Sequence, residues 1–312
     1  MGTLSVIIAT ISDAIATNFT VAQIIQQLEA AKIDYEIILV DNGSDETNKK
    51  NLMEFLRFHE EFPITYYEYD VKGTIPPHSF GVTKAIGKYI TMPDPHLILS
   101  PNYFKVMLNT LKELKSKNVE VVFSPFSVGS MTKKGGDYIS GSLLTKPNPF
   151  SKPSNIGESC KMGDPPHPVL STSMTSFICE RDWFLKIGNM FPDSFVEAGG
   201  HTAESLLIGI PTWMFGKKCY VQPKVVVEHP VYRTAKGASW SANMHLSMAV
   251  AAYILGGQKY LDEMPGQYGA YVPGALERIP VSSMEDRLHI EKNAKYSLDE
   301  LVDKWEVLRD EA

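Results

Sequence analysis

No apolar run in this sequence approaches the roughly 20 residues that a membrane-crossing helix needs, which excludes a helical span. Cysteine is scarce: Cys160, Cys179 and Cys219 are the only three in 312 residues, and none sits in CxxC spacing. An odd, scattered set argues against a disulfide framework and fits reduced thiols. Positive charge is not in excess. Lys and Arg number 30 against 36 Asp and Glu, and the net charge of −6 excludes a broadly basic nucleic-acid surface. The stretch ATISDAIATNFT, residues 9–20, contains no glycine and no lysine, so it lacks the Gly-rich basic phosphate loop that a nucleotidyltransferase would place after its first strand. Neither a basic segment nor a cleavage site precedes the first apolar run, Leu4 to Thr10. The expectation is a cytoplasmic protein, a viral enzyme acting in a host cytoplasm included.

What is present is regular alternation. LSVIIAT and YEIILVD are short apolar runs rich in β-branched residues, the pattern of buried strands. Between them Val21, Ile24, Ile25 and Leu28 follow helical spacing. Further helix–strand pairs cover residues 47–70 and 79–94. Strand and helix in turn predict an α/β fold, with a mostly parallel sheet covered by helices on both faces. Ligands of such sheets bind beyond the carboxyl ends of the strands, where Asp13, Asp41 and Asp94 fall. Residues 124–170 are dense in Gly, Ser and Pro, which predicts a long functional loop. At the C-terminus Ser297 and Glu300 form a capping box, ahead of an apolar face made by Leu298, Leu301, Val302, Trp305 and Leu308.

The sequence YITMPDPHLILS sets Asp94 and His96 two residues apart between apolar runs. In an extended segment positions i and i+2 share a face, so both side chains can reach one ion. A carboxylate and an imidazole between apolar runs are costly to hold unless a charged group engages them. The bland alternative is a turn at Asp94-Pro95 with an incidental histidine.

Four segments in order resemble the family-two-like glycosyltransferases of the GT-A fold. ILVDNGSDE resembles their second strand and its acidic turn. GKYITMPDPHLILSPNYF resembles the polypeptide N-acetylgalactosaminyltransferases, whose metal motif is written Asp-x-His. SFICERDWFLKIGNMFPDSFVEAGGHTAESLL and VVVEHPVYR resemble that family's later elements, the last of which supplies a third metal ligand. The resemblance covers about residues 4–250. It implies a Rossmann-like GT-A catalytic domain over 1–250, with a nucleotide-sugar half (1–100) and an acceptor-side half (101–235), followed by a C-terminal helical extension (251–312).

It also implies a UDP-sugar donor and a divalent ion, Mn²⁺ or Mg²⁺, held by Asp94, His96 and His229. Two imidazoles favour Mn²⁺ over Mg²⁺, which prefers oxygen ligands. Asp41 and Asn42 stand in place of the family's usual acidic pair, and Asp41 is expected either to accept the uracil imide N–H or to close an Asx turn. Thr10, Asp13 and Lys72 are further donor-side candidates, Lys72 in a stretch without the family's usual arginine. Tyr232, Arg233, Lys236 and Trp240 are expected to reach the diphosphate or to form a lid, with an ordinary surface connection as the alternative. His201 occupies the position of an expected carboxylate and Glu204 lies one helical turn on. With Asp94, these are the candidate catalytic residues, and the missing carboxylate favours a retaining course. The acceptor is a hydroxyl on a protein, a glycan or a hydroxymethylated DNA base. A nucleotidyltransferase and a non-catalytic sugar-nucleotide-binding module are the competing readings.

Overall fold

The computed structural model describes residues 2–71, 75–128, 138–142, 149–150, 157–187, 203–230, 240–263 and 279–312, with backbone alone for 127–128, 138–142, 157–159, 176 and 240–245. The first half alternates as its periodicity predicts: β1 (Leu4–Thr10), α1 (Ala14–Ala31), β2 (Tyr35–Asp41), α2 (Glu46–Phe58), β3 (Ile64–Glu68), α3 (Ile75–Lys84) and β4 (Tyr89–Thr91). Then come β5 (Ile98–Leu99), α4 (Tyr103–Leu114), β6 (Val119–Phe123), β7 (Phe126–Val128), β8 (Tyr138–Ser142), β9 (Gly157–Cys160) and β10 (His167–Pro168). β11 (Phe177–Glu180), α5 (Arg181–Lys186), α6 (Glu204–Met214), β12 (Lys218–Val221) and β13 (Val227–His229) follow. The chain closes with α7 (Trp240–Gly256), α8 (Gln258–Asp262), α9 (Ser282–Asn293) and α10 (Leu298–Asp310).

The main sheet has eight strands in the order β10-β12-β6-β11-β4-β1-β2-β3. Six run the same way, and β10 and β11 run against them. Period-2 alternation divides the central strands between two cores. Leu4, Val6 and Ile8 join α1 and α4 on one face, while Ile7, Ile38 and Val40 join the core of α6 and α7 on the other. Burial on both faces is why these strands read as unbroken apolar runs. The C-terminal extension packs onto the second core: Trp305 meets Trp213 edge-on at 5.0 Å, and the Ser297–Glu300 capping box forms as expected.

Residues 124–170, predicted as a loop, contribute β7, β8 and β9 to a second sheet ordered β5-β13-β7-β8-β9, and β10 to the edge of the first. Little in their Gly- and Ser-rich composition favours strand. β7 pairs with β13 from outside the segment, and β8 and β9 add to it by pairing within the segment, an order of the kind tertiary context often supplies for β structure.

The end of the main sheet opposite the Asp94 rim is held by charge. Lys115 bonds the buried Glu120 and lies 2.9 Å from Glu180, while Lys217 and Lys88 approach Glu120 and Glu180 at 3.5 and 3.4 Å. Partial burial works to raise the Glu180 carboxyl, but hydrogen bonding to Lys115 and the charges of Lys115 and Lys88 outweigh it and hold it below its usual range. A depressed folded pKa gives stability that is present above the unfolded value, about 4.3, and lost as pH falls through the folded one. Glu180→Gln should therefore cost about 1 kcal/mol at neutral pH in chemical denaturation, discounted for partial exposure. The difference from the parent should close as acid protonates Glu180; a gap independent of pH would refute this origin.

Candidate active site

The carboxyl ends of β1, β2 and β4 form one rim. β1 and β2 pair in register from Leu4↔Tyr35 to Thr10↔Asp41, so Thr10 and Asp41 end side by side. Thr10 is buried, its hydroxyl 2.7 Å from that of Thr17 and its carbonyl accepting Asn42 N–H at 2.8 Å. Asp41 is 1% exposed. Its Oδ1 accepts Ser44 N–H at 2.8 Å, which is the turn closure written in DNGS, and its Oδ2 accepts the Tyr66 hydroxyl at 2.8 Å. Burial and this carboxylate push the Tyr66 phenol up. Asn42 donates from Nδ2 to the carbonyls of Tyr69 at 2.9 Å and Val71 at 2.6 Å, tying β2 to the segment after β3. Tyr66 and Ser44 are site-shaping residues that sequence reasoning misses, because neither carries a local pattern that distinguishes it from any strand or turn residue.

The metal-type cluster sits at the end of β4. Pro95 and His96 form a turn, so Asp94 and His96 converge by a bend and not by sharing a face of an extended strand, as their spacing suggests. His229 ends β13, which pairs antiparallel with β5 through Val227↔Leu99 and Glu228↔Ile98. That register delivers His229 to the bend. His229 Nε2 lies 3.0 Å from Asp94 Oδ2 and 3.2 Å from His96 Nε2, with the two rings edge-on at 82°. One ligand atom from each of Asp94, His96 and His229 lies within 4.8 Å of the others, the one such group of three among the described residues.

Three lone-pair donors turned to one point, with only shared protons between them, fit a divalent cation. An Asp-His-His set suits a borderline transition ion such as Mn²⁺. Burial lowers the tendency of His229 to protonate, but hydrogen bonding to Asp94 and its charge outweigh this and leave the imidazole pKa raised.

Asp13 also reaches this centre, with Oδ2 3.3 Å from His96 Nδ1. Glu204 opens α6, half-buried in its first turn, where a carboxylate complements the helix dipole. Lys72, His201, Tyr232, Arg233 and Lys236 lie outside the described residues, as do residues 231–239 of the expected lid, 229–245. Trp240 is described only as the first residue of α7. Among the described residues no helix is long and apolar enough to cross a membrane.

Comparison with known proteins bears on this geometry. The family model "Glycosyl transferase family 2" matches residues 5–158. Among solved structures, GalNAc-T7 with UDP, GalNAc and Mn²⁺ is similar over 99% of this chain, with 16% identity and a TM-score of 0.72. This chain spans 57% of that one. The mannosyltransferase PcManGT from Pyrobaculum calidifontis, in complex with GDP-Man and Mn²⁺, is similar over 94% of this chain and 74% of its own, with 14% identity and a TM-score of 0.53. No curated protein matches the sequence. At these identities the structural likeness establishes the fold, which is GT-A.

Proposed function

We propose that the chain transfers a sugar from a UDP-sugar to a hydroxyl acceptor, with retention, using Mn²⁺ held by Asp94, His96 and His229, a reading supported by the match of residues 5–158 to the family 2 glycosyltransferase model. The observation that carries this is the convergence of those three side chains, from two sheets, on the rim where an α/β sheet binds its ligand. Mg²⁺ is the alternative ion. When bound, the ion offsets the negative charge of the departing diphosphate as a Lewis acid.

The chain's own residues do the rest. Asp94 supplies the only anionic ligand and sets the polarity of the site. Thr10, Asp41 and Asn42 shape the end of the sheet on the donor side. Asp41, whose two oxygens accept Ser44 N–H and the Tyr66 hydroxyl, is the proposed partner of the base, while Asn42 acts by holding the Tyr69–Val71 segment. Glu204, in the first turn of α6, is the proposed partner of a sugar or acceptor hydroxyl. Retention is supported by His201 standing where inverting relatives would need a carboxylate base. The same reading takes 1–250 as the catalytic domain and 251–312 as its extension, with α7 running across that boundary and α10 packed onto the core of the first part.

UDP is favoured over GDP because the structure with the higher TM-score carries UDP, whereas PcManGT carries GDP-Man. A thermal-shift series with UDP, GDP and ADP, each with Mn²⁺ and with EDTA, tests this. At about 100 times its dissociation constant a nucleotide adds about 2.7 kcal/mol, hence a shift of several degrees. UDP with Mn²⁺ should give the largest shift, and chelation should remove it. A larger shift with GDP overturns the donor assignment, and none with any nucleotide overturns the function.

A further inference from the structure

Asp13 occupies the N-cap of α1, where an aspartate ordinarily turns its carboxylate onto first-turn amides and contributes about 1 kcal/mol. Here the carboxylate makes no capping bond, and Ala14 N–H donates instead to Asn48 Oδ1 at 3.0 Å. The side chain turns toward β4, placing Oδ2 3.3 Å from His96 Nδ1. The backbone beneath it is pinned. Ser12 takes a left-handed φ of 49° and donates its N–H to Ser44 Oγ at 2.7 Å. The Asp13 carbonyl accepts from Thr17 N–H at 2.9 Å and from the Thr17 hydroxyl at 2.7 Å. The other ring nitrogen of His96, Nε2, faces His229. The two nitrogens of His96 thus have different neighbours, the Asp13 carboxylate at 3.3 Å from Nδ1 and His229 at 3.2 Å from Nε2.

We propose that Asp13 is the positioning residue of the metal centre: its carboxylate takes the Nδ1–H of His96 and so holds the ring in the tautomer whose Nε2 lone pair points at Asp94 and His229. The proposal rests on the metal reading above. An imidazole ligand needs a free lone pair, and a carboxylate on its far nitrogen fixes both tautomer and ring orientation while raising basicity. This places Asp13 behind the ligands and not among them. It is absent from the group of converging ligand atoms. It also accounts for the unused cap, since one carboxylate cannot serve both the helix amides and the imidazole.

The test uses the full chain and two readouts. Mn²⁺ affinity is measured by calorimetry for wild type, Asp13→Ala and Asp13→Asn. The ring state of His96 is read by ¹⁵N NMR in metal-free protein, at a pH where the imidazole is neutral. Wild type should show Nδ1–H on His96. Asp13→Ala should lose that preference and bind Mn²⁺ about 10- to 100-fold more weakly. Asp13→Asn keeps an accepting oxygen without charge and should fall between the two, which a merely structural role would not produce. Because the carboxylate caps nothing, both variants should melt close to wild type; should Asp13→Ala fail to fold, Asp13→Asn carries the comparison. Unchanged Mn²⁺ affinity with an unchanged tautomer in either variant overturns the proposal. A wild type that binds no Mn²⁺ but keeps the Asp13-dependent tautomer overturns the metal reading while leaving the pairing intact.

Discussion

Asp94→Ala should abolish Mn²⁺ binding and Mn²⁺-dependent turnover, with a fall of at least about 100-fold, the upper range for loss of even an outer-shell partner. The size follows from charge. Asp94 is the one anion among the three converging ligands, and two neutral imidazoles do not balance a divalent ion. Its loss should leave the fold intact, because the Asp94 and His229 side chains are 19% and 27% exposed. Water can therefore replace the carboxylate at His229 Nε2, and the expected loss of stability is under about 1 kcal/mol. Asp94→Asn keeps an oxygen ligand without charge and should be intermediate. The decisive measurement is turnover and calorimetric Mn²⁺ affinity on chelated and reloaded protein. Full activity after chelation would remove metal from the mechanism, and wild-type affinity in Asp94→Ala would remove Asp94 from the ligand set.

The second large effect is on stability. Asn42→Asp, which restores the acidic pair of the resembling family, should lower stability by about 3 kcal/mol. At neutral pH it should lower the melting temperature by several degrees. Asn42 is buried, and its Nδ2 donates to two carbonyls at 2.9 and 2.6 Å. Aspartate would set an anionic oxygen against both. It must swing away, leaving the Tyr69 and Val71 carbonyls without that donor, or take up a proton. The penalty should shrink as pH falls, because a carboxyl there has a raised folded pKa and the protonated form can donate once. Asn42→Ala removes the donor without adding repulsion and should cost less. Equal melting temperatures for Asn42→Asp and the parent would show that these two bonds do not hold the segment after β3.

Much of the framework was legible locally. The apolar run of β1, the helical spacing of Val21, Ile24, Ile25 and Leu28, and the Ser297–Glu300 box each draw on neighbours within one or two turns, so short-range periodicity and capping report them directly. The Asp41 turn is likewise a property of four adjacent residues. The second sheet was not legible, because β7 is anchored on the remote β13, and β8 and β9, which build outward from it, carry no alternation of their own.

The candidate site divides along the same line. Its residue types and the close spacing of Asp94 and His96 are determined by the sequence, and with them the demand for a charged partner. Which third ligand joins them was decided by the pairing of β13 with β5, which closes a separation of 133 residues between His96 and His229. That Asp13 faces the far nitrogen of His96 was decided by the β1–α1 turn, where a left-handed Ser12 and the Ser44 and Asn48 side chains aim it. Covalent neighbours dictate backbone preference and periodicity. The distance between side chains remote along the chain depends on strand register and on turn geometry, and these exist only once the sheets have assembled.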